Sequence, residues 1–330
     1  METIVLCFPV TRDQVAEIAQ AADGARVIAA EQNEIAERIF EATIFCGHAK
    51  VPVDWPGVVR QGKLKWIQST AAGLDHCLVP AVVESNIVVS GSSGLFSRQV
   101  AEHTLAMLLA LVRKLPDFLV AQTVRQYERL PTDELRDKRV GILGFGGNGQ
   151  RVAEYLRPMC GPIMATDHFA KELSFPGVEI VEPHRTPTVL ERSDIVICTL
   201  PLLESTYLSL GSKEFERMPR GSYFVNMGRG QLVDEQALFE ALRSQHLAGA
   251  AIDVAFTEPL PSTSPLWETK NLIITPHVAA QSKFRVTDTI KLFCDNLTRW
   301  KKSQSLLNLV DKQLGFPKLQ DRVPIDWPNR

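Results

Sequence analysis

The feature that most constrains this chain is a glycine-rich turn that directly follows an apolar run. After the apolar residues 140–143, Gly144, Gly146 and Gly149 come with the spacing G-x-G-x-x-G. In this pattern the first glycine permits a tight turn from strand to helix, the second lets a phosphate approach the backbone, and the third allows close helix packing. The N–H groups at such a helix start bind a pyrophosphate. The segment therefore predicts a dinucleotide site in an α/β sheet, with a purely structural turn as the alternative for the glycines taken alone.

An acidic residue at the end of the next apolar run supports the dinucleotide interpretation. Asp167 follows Ala165 and Thr166, at about the 20-residue distance that is typical of this fingerprint. A carboxylate there accepts hydrogen bonds from the ribose hydroxyls and repels a 2′-phosphate, so we expect NAD as the cofactor. The neighbouring His168 weakens this preference slightly, because an imidazole becomes charged at mildly acidic pH.

Size and composition favour a two-domain protein that binds small molecules. The chain has 330 residues, 45% of them hydrophobic, and exceeds the length at which single cores stop growing. Its formal net charge of −2 provides no basic field for nucleic acid or an anionic membrane, and its longest apolar stretch is too short to span a bilayer. The six cysteines are scattered and the histidines show no metal-ligand spacing. We therefore expect a reduced, cytoplasmic protein without a metal.

Strand and helix signals alternate through two regions of the chain. In the second region we predict six strands, at residues 139–143, 163–166, 195–199, 223–226, 249–253 and 272–275. Such alternation predicts parallel sheets covered by helices, in a doubly wound α/β fold. We predict two Rossmann-like domains, the first flavodoxin-like and discontinuous because a helix after Gln281 could return to it. The domains are predicted to comprise residues 1–100 with 286–330, and residues 101–285.

Polar residues follow the last three predicted strands. Arg229 lies in the segment after residue 226, Glu258 follows Asp253, and His277 follows Thr275. Because groups beyond the carboxyl ends of parallel strands line the ligand crevice, these three could serve as an anion anchor, an orienting acid and a proton carrier. Each also has a structural alternative, namely a surface salt bridge, a loop acid and a strand-end histidine.

Together with the fingerprint, these segments closely resemble the D-isomer-specific 2-hydroxyacid dehydrogenase family. The resemblance extends from about residue 40 to residue 300. Its further motifs are Leu200-Pro201-Leu202 with Thr206, Asn226 to Gly230, Asp253-Val254, Glu258-Pro259-Leu260, Pro276-His277, Ser69 to His76, and Val100 to His103. The resemblance implies an NAD-dependent oxidoreductase that interconverts a small 2-oxo acid and its D-2-hydroxy acid, similar to glyoxylate/hydroxypyruvate reductases or phosphoglycerate dehydrogenases. It also implies a homodimer formed through the nucleotide-binding domain.

The resemblance assigns roles to individual residues. Arg229 would pair with the substrate carboxylate, His277 would exchange the proton of the substrate oxygen, and Glu258 would orient the imidazole and favour its protonated form. The substrate carboxylate would also contact the backbone at Ala71, Ala72 and Gly73, in the substrate domain. The cofactor would contact Gly144, Phe145, Gly146, Gly147, Asn148, Gly149, Asp167 at the adenosine ribose, His168, Leu200, Pro201, Thr206, Met227, Gly228, Asp253 at the nicotinamide amide, His277 and Ala279.

Several departures keep alternatives open. Ala279-Ala280 stands where the family often has glycine, and Gly147-Asn148 stands where many members have a larger residue and an apolar one. Oxidation of another small anion, such as formate or phosphite, would use the same scaffold and arginine. An NAD-sensing corepressor similar to the C-terminal-binding proteins is the non-enzymatic alternative. Arg98 is either a second anion contact or a surface arginine.

Overall fold

The computed structural model describes residues 2–327 and divides the chain into two compact units. The first unit comprises Met1–Phe96 together with Ser282–Arg330, and the second comprises Ser97–Gln281. The boundaries predicted from the sequence, after residues 100 and 285, each lie four residues later. The structure moves the first boundary because helix α5 begins at Ser97 and runs without interruption to Val112, within the second unit.

A five-stranded parallel sheet forms the centre of the first unit. Its strand order is β2-β1-β3-β4-β5, which is the flavodoxin-like order predicted from the sequence. The elements before residue 97 are β1 (Thr3–Cys7), α1 (Arg12–Ala21), β2 (Arg26–Ala29), α2 (Ile35–Arg38), β3 (Ile44–Gly47), α3 (Trp55–Gln61), β4 (Trp66–Ser69), α4 (Pro80–Glu84) and β5 (Val88–Ser90). Those after residue 281 are α11 (Arg285–Lys301), β13 (Val310–Asp311) and β14 (Phe316–Pro317).

Both faces of this sheet are buried, because its central strands are apolar at successive positions. Phe45 and Ile67 pack in one hydrophobic cluster, whereas Ile44, Cys46 and Trp66 pack in the other. Side chains of successive strand residues point to opposite faces, so continuous apolar runs are what a sheet with helices on both sides requires.

Helix α11 completes the hydrophobic cluster that contains Ile44, Cys46 and Trp66, although it lies more than 200 residues after these strands in sequence. Phe293 and Leu297 pack there, and the Trp300 ring stacks on Trp66 with 5.4 Å between centroids. The buried Asn296 donates from Nδ2 to Gln68 Oε1 over 2.9 Å, so its amide is paired inside the core. These contacts explain why the C-terminal segment belongs to the first unit.

A seven-stranded parallel sheet forms the centre of the second unit. Its order is β12-β11-β10-β9-β6-β7-β8, which is the doubly wound order with the switch point between β6 and β9. The strands are β6 (Val140–Leu143), β7 (Ile163–Thr166), β8 (Val178–Val181), β9 (Ile195–Cys198), β10 (Ser222–Asn226), β11 (Leu247–Ile252) and β12 (Leu272–Ile274). The helices are α5 (Ser97–Val112), α6 (Leu115–Thr123), α7 (Gly147–Leu156), α8 (Thr186–Glu191), α9 (Ser212–Arg217) and α10 (Glu235–Arg243).

Two elements of this unit differ from the sequence prediction. Strand β8 is a seventh strand where six were predicted, and it pairs only with β7 at the edge of the sheet. Three of its four residues are half-buried and Glu179 is exposed, so its apolar signal is weak. The sequence predicts a single helix here, from about Gln99 to Leu115 and ended by Pro116, whereas the structure has a second helix, α6, that begins at Leu115. Proline is tolerated in the first turn of a helix, and here it starts a new one.

Helix α6 buries none of its side chains. Leu119 and Val120 are 62% and 65% exposed, and Val124, which follows the helix, is 62% exposed. Large apolar side chains clustered on a surface are unusual for a monomer. Among residues 2–327, no helix combines the length and apolarity needed to cross a membrane.

Candidate active site

The three candidate catalytic residues follow neighbouring strands of the second unit. Arg229 lies three residues after β10, Glu258 lies beyond β11, and His277 lies three residues after β12. Since these strands are parallel and adjacent, their carboxyl ends lie at the same edge of the sheet. The arrangement brings the three segments together there, as the sequence spacing predicts.

His277 and Glu258 are in direct contact. His277 Nδ1 lies 2.8 Å from Glu258 Oε2, and the side chains are 44% and 39% exposed. The two side chains therefore fix one another's orientation, and both are exposed enough to contact a small molecule.

The pKa of Glu258 is below its usual value. Burial alone would raise this pKa, but the hydrogen bond and charge of His277, the Ala255 N–H and the positive charge of Arg229 together outweigh burial. Glu258 is therefore ionised at neutral pH and can only accept hydrogen bonds. It follows that His277 Nδ1 carries a hydrogen, which leaves Nε2 as the ring nitrogen that can exchange a proton.

The backbone of His277 adopts the left-handed conformation, with φ of +54°. A non-glycine residue is uncommon in this region and needs support from its surroundings. The His277 N–H donates to the backbone oxygens of Asp253, over 2.7 Å, and Thr275, over 3.0 Å. The imidazole is thus presented by a constrained turn rather than by a regular strand.

Asp253 supports the same turn with its side chain. Its Oδ1 accepts from the N–H of Val278 and its Oδ2 from the N–H of Ala279, both over 2.9 Å, and the Thr275 hydroxyl donates to Oδ1 over 2.6 Å. The carboxylate is buried, and its hydrogen bonds are with the turn that carries His277. The predicted contact of Asp253 with the nicotinamide amide remains a prediction.

The turn that carries Arg229 is fixed by its neighbours. Asn226 Oδ1 accepts from the Gly228 N–H and Asn226 Nδ2 donates to the Arg229 carbonyl, both over 3.0 Å. A side chain at Gly230 would lie 1.9 Å from the backbone of Ala255, so only glycine fits against the segment that leads to Glu258. The guanidinium itself is half-buried and donates to the Gly228 carbonyl over 2.9 Å.

Glycine is suited to the three fingerprint positions for different physical reasons. Gly144 has φ of +89°, which favours glycine, and a Cβ at Gly149 would lie 2.3 Å from the Gly144 carbonyl oxygen. Gly146 precedes α7, and a Cβ there would meet no atom within 4 Å. The packing of the protein therefore requires Gly144 and Gly149 but leaves the space beside Gly146 open. An open cradle at a helix N-terminus fits a pyrophosphate.

The other predicted cofactor residues differ in whether their side chains are available to contact a ligand. Phe145 is fully buried against Phe175, so only its backbone can reach a ligand. The Thr206 hydroxyl donates to the Pro201 carbonyl over 2.7 Å and accepts from the Leu203 N–H over 2.8 Å, which shapes the loop after β9. Direct contact of Phe145, Pro201 and Thr206 with a cofactor stays a prediction.

The remaining cofactor candidates lie along the same edge of the sheet. Asp167 directly follows β7, is buried, and accepts from the Phe169 N–H at Oδ1 over 2.8 Å. Gly147 and Asn148 begin α7 and Leu200 follows β9; all three are half-buried, whereas His168, which follows Asp167, is exposed. Met227, Gly228 and Ala279 are buried, and a side chain at Gly228 would approach the Leu200 carbonyl to 2.7 Å.

Ala71, Ala72 and Gly73 lie in the first unit, on the loop after β4. Ser69 Oγ accepts from the Ala71 N–H over 3.1 Å, and the Ser92 N–H donates to the Ala71 carbonyl over 3.0 Å. Ala72 is exposed. The loop is thus held at Ala71 and open at Ala72, and its role toward a carboxylate stays a prediction.

Two residues of this edge were given no role by the sequence analysis. Thr275 and His103 are hydrogen-bonded to one another, with 2.9 Å between His103 Nε2 and Thr275 Oγ1. His103 ends the motif that begins at Val100, and Thr275 precedes the motif Pro276-His277, but a contact across 172 residues leaves no signal in a single sequence.

Comparison with known proteins shows the family to which the chain belongs. The family model described as "D-isomer specific 2-hydroxyacid dehydrogenase, NAD binding domain" matches residues 105–279, which is more than half of the chain. The chain belongs to this family. It is therefore an oxidoreductase with a nicotinamide-dinucleotide domain, and the resemblance found in the sequence is confirmed.

Individual relatives carry several activities. The chain is 31% identical to a D-3-phosphoglycerate dehydrogenase of Archaeoglobus fulgidus over 82% of its own length, and it spans about half (51%) of that relative. It is 30% identical to a glyoxylate reductase of Thermofilum pendens over 76% of each chain. A D-isomer specific 2-hydroxyacid dehydrogenase from Xanthobacter autotrophicus, solved in complex with NADPH and MES, matches 96% of this chain and 100% of its own, with 27% identity and a TM-score of 0.79.

Proposed function

We propose that this dehydrogenase reduces a small 2-oxo acid to its D-2-hydroxy acid with NADH. The observation that carries the proposal is the contact between His277 and the ionised Glu258, beside Arg229 at the carboxyl ends of three adjacent strands. An acid–base pair and a guanidinium are the groups that reduction of a 2-oxo acid requires.

Each group has a distinct task in the proposed reaction. The nicotinamide supplies or accepts a hydride at the substrate carbon. Arg229 binds the substrate carboxylate with its planar guanidinium, which also draws electron density from the neighbouring carbonyl. His277 gives a proton from Nε2 to the carbonyl oxygen, while Nδ1 stays hydrogen-bonded to Glu258. In the oxidative direction His277 takes the proton back at Nε2.

A substrate panel tests this assignment. With NADH, we expect a decrease in nicotinamide absorbance with glyoxylate or hydroxypyruvate, and with NAD⁺ an increase with D-2-hydroxy acids such as D-3-phosphoglycerate. Turnover of formate or phosphite alone would instead favour oxidation of another small anion. Tight NADH binding without turnover of any of these compounds would favour the non-enzymatic alternative, an NAD-sensing corepressor.

We predict a preference for NADH over NADPH because Asp167 directly follows β7, the strand after the glycine fingerprint. Replacing Asp167 by Asn should lower the ratio of kcat/KM with NADH to kcat/KM with NADPH by at least about tenfold, since the repulsion of a 2′-phosphate is removed. Glu172→Gln, at an exposed position five residues later, removes the same charge and should leave the ratio unchanged. Equal use of both cofactors by the wild-type enzyme would refute the preference.

The two glycines that flank the start of α7 should respond differently to substitution. Gly146→Ala is expected to raise the Kd for NADH at least about tenfold, because its Cβ would occupy the space proposed for the pyrophosphate. Its Tm should change little, because the added Cβ meets no protein atom within 4 Å. Gly149→Ala should lower Tm, because its Cβ would lie 2.3 Å from the Gly144 oxygen. Fluorescence titration and thermal melts measure the two effects. An unchanged NADH affinity in Gly146→Ala would contradict the assignment of this turn to the pyrophosphate.

We propose further that the protein is a homodimer and that a second copy covers helix α6. Leu119, Val120 and Val124 are exposed together, and Leu135 is the only buried residue of segment 125–138, which follows. Light scattering should give twice the mass of the chain, and Leu119→Asp combined with Val120→Asp should halve it. Lys213→Asp, at an exposed position on α9, should leave the mass unchanged. A wild-type monomer would exclude the dimer.

A further inference from the structure

His103 lies on α5 and reaches the turn that carries His277. Its side chain is 23% exposed, and its Nε2 lies 2.9 Å from Thr275 Oγ1 and 3.5 Å from Asp253 Oδ1. The same helix packs against β11, which leads into Asp253, and against α7 of the glycine fingerprint. His103 therefore contacts the site from a rigid element that none of the proposed catalytic steps uses.

The direction of the hydrogen bonds can be deduced from their partners. Asp253 accepts from the Thr275 hydroxyl and from the N–H groups of Val278 and Ala279. A hydroxyl has one hydrogen, and that of Thr275 points to the charged Asp253 Oδ1 at 2.6 Å rather than to the weak acceptor Met107 Sδ at 3.6 Å, so Thr275 Oγ1 accepts from His103. His103 Nε2 therefore carries a hydrogen and donates it.

These hydrogen bonds form a continuous chain, and the chain holds the backbone both before and after His277. It runs from His103 to the Thr275 hydroxyl, then to the Asp253 carboxylate, and finally to the N–H groups of the two residues after His277. Thr275 lies two residues before His277, whose φ of +54° has to be maintained by its neighbours. Hydrogen bonds to a shared carboxylate are mutually reinforcing inside a protein.

We propose that His103 is a positioning residue, which holds the His277 turn in its reactive conformation through Thr275 and Asp253. The proposal deepens the function proposed above and rests on His277 being the proton carrier. His103 itself exchanges no proton with substrate. Its effect is on the orientation of Nε2 of His277 during proton transfer, so it acts on kcat rather than on cofactor affinity.

Matched substitutions test the proposal. His103→Leu and Thr275→Val remove the hydrogen bond but keep apolar volume, whereas His103→Gln places an amide donor near the former Nε2 and Thr275→Ser keeps the hydroxyl. We expect kcat to fall about tenfold in His103→Leu and Thr275→Val, the scale of one hydrogen bond, and to recover substantially in the other two variants. The Kd for NADH should stay within about twofold of wild type, and the isotope effect with deuterated NADH should rise.

A double variant shows whether His103 and Thr275 act through the same hydrogen-bond chain or lower kcat independently. If both residues act through one chain, His103→Leu combined with Thr275→Val should lose little more kcat than either single variant. The proposal would be overturned if the double variant lost kcat by the product of the two single losses. It would also be overturned if kcat stayed within twofold of wild type in both single variants, or if His103→Leu and His103→Gln lost kcat equally. If His103→Leu does not fold, the comparison of Thr275→Val with Thr275→Ser decides by the same criterion of hydroxyl rescue.

Failure of this inference can be told apart from failure of the proposed function. Wild-type kcat in a His277 variant would remove the proton carrier and with it the function proposed above. Wild-type kcat in His103→Leu and Thr275→Val, together with an inactive His277 variant, would remove the positioning role alone.

Discussion

Replacing His277 by Asn is expected to lower kcat for reduction of the 2-oxo acid by about 10² to 10⁴, the usual contribution of general acid–base catalysis. Asparagine is the informative substitution because it adopts left-handed backbone more readily than most residues and so tolerates the φ of +54° at this position. It removes the titrating ring while leaving the turn in place. The Kd for NADH should change little, since binding of the cofactor does not need the proton.

A control variant separates loss of chemistry from a general effect of losing a histidine. His184→Asn removes an imidazole whose side chain is 68% exposed, and kcat should remain at the wild-type level. Stopped-flow measurement of the first turnover reports the chemical step directly. Full activity of His277→Asn on a substrate from the panel would return His277 to a structural role at the strand end.

The fold was readable from the sequence because its determinants are local. Apolar runs such as residues 140–143 mark strands that are buried on both faces, and the glycines after them mark the first turn of the nucleotide sheet. Strand β8 escaped prediction because an edge strand is only half-buried and lacks a continuous apolar run. Helix α6 escaped because Pro116 was treated as the end of one helix, whereas it lies in the first turn of the next.

The candidate site was predictable only in its residue types and in their order along the chain. Polar residues after successive parallel strands must meet at one edge, which is why Arg229, Glu258 and His277 could be grouped. The contacts that hold them could not be inferred. Asp253 stands 24 residues before His277 in sequence, and its bonds to Val278 and Ala279 depend on a turn whose dihedral angles no local pattern encodes.

Replacing Arg229 by Lys is expected to lower kcat/KM for the 2-oxo acid by about 10² to 10³, with KM raised and kcat lowered together. Lysine keeps the positive charge but loses the planar pair of N–H donors that a carboxylate accepts. The ammonium would also withdraw less electron density from the adjacent carbonyl, so transition-state stabilisation is lost as well as binding. Arg229→Gln, without the charge, should lose more.

The Arg229 result has a matched control at the start of the same strand. Arg220 is exposed and donates to the Ser244 carbonyl over 3.2 Å, so Arg220→Lys should leave kcat and KM unchanged. The positive charge of Arg229 contributes to the low pKa of Glu258, and lysine preserves that contribution if its ammonium stays in place. A loss confined to Arg229→Gln, with Arg229→Lys equal to wild type, would mean that the site requires a charge rather than a carboxylate-binding fork. In that case Arg229 would act on the substrate as a point charge, and the proposed two-donor binding of the carboxylate would be wrong.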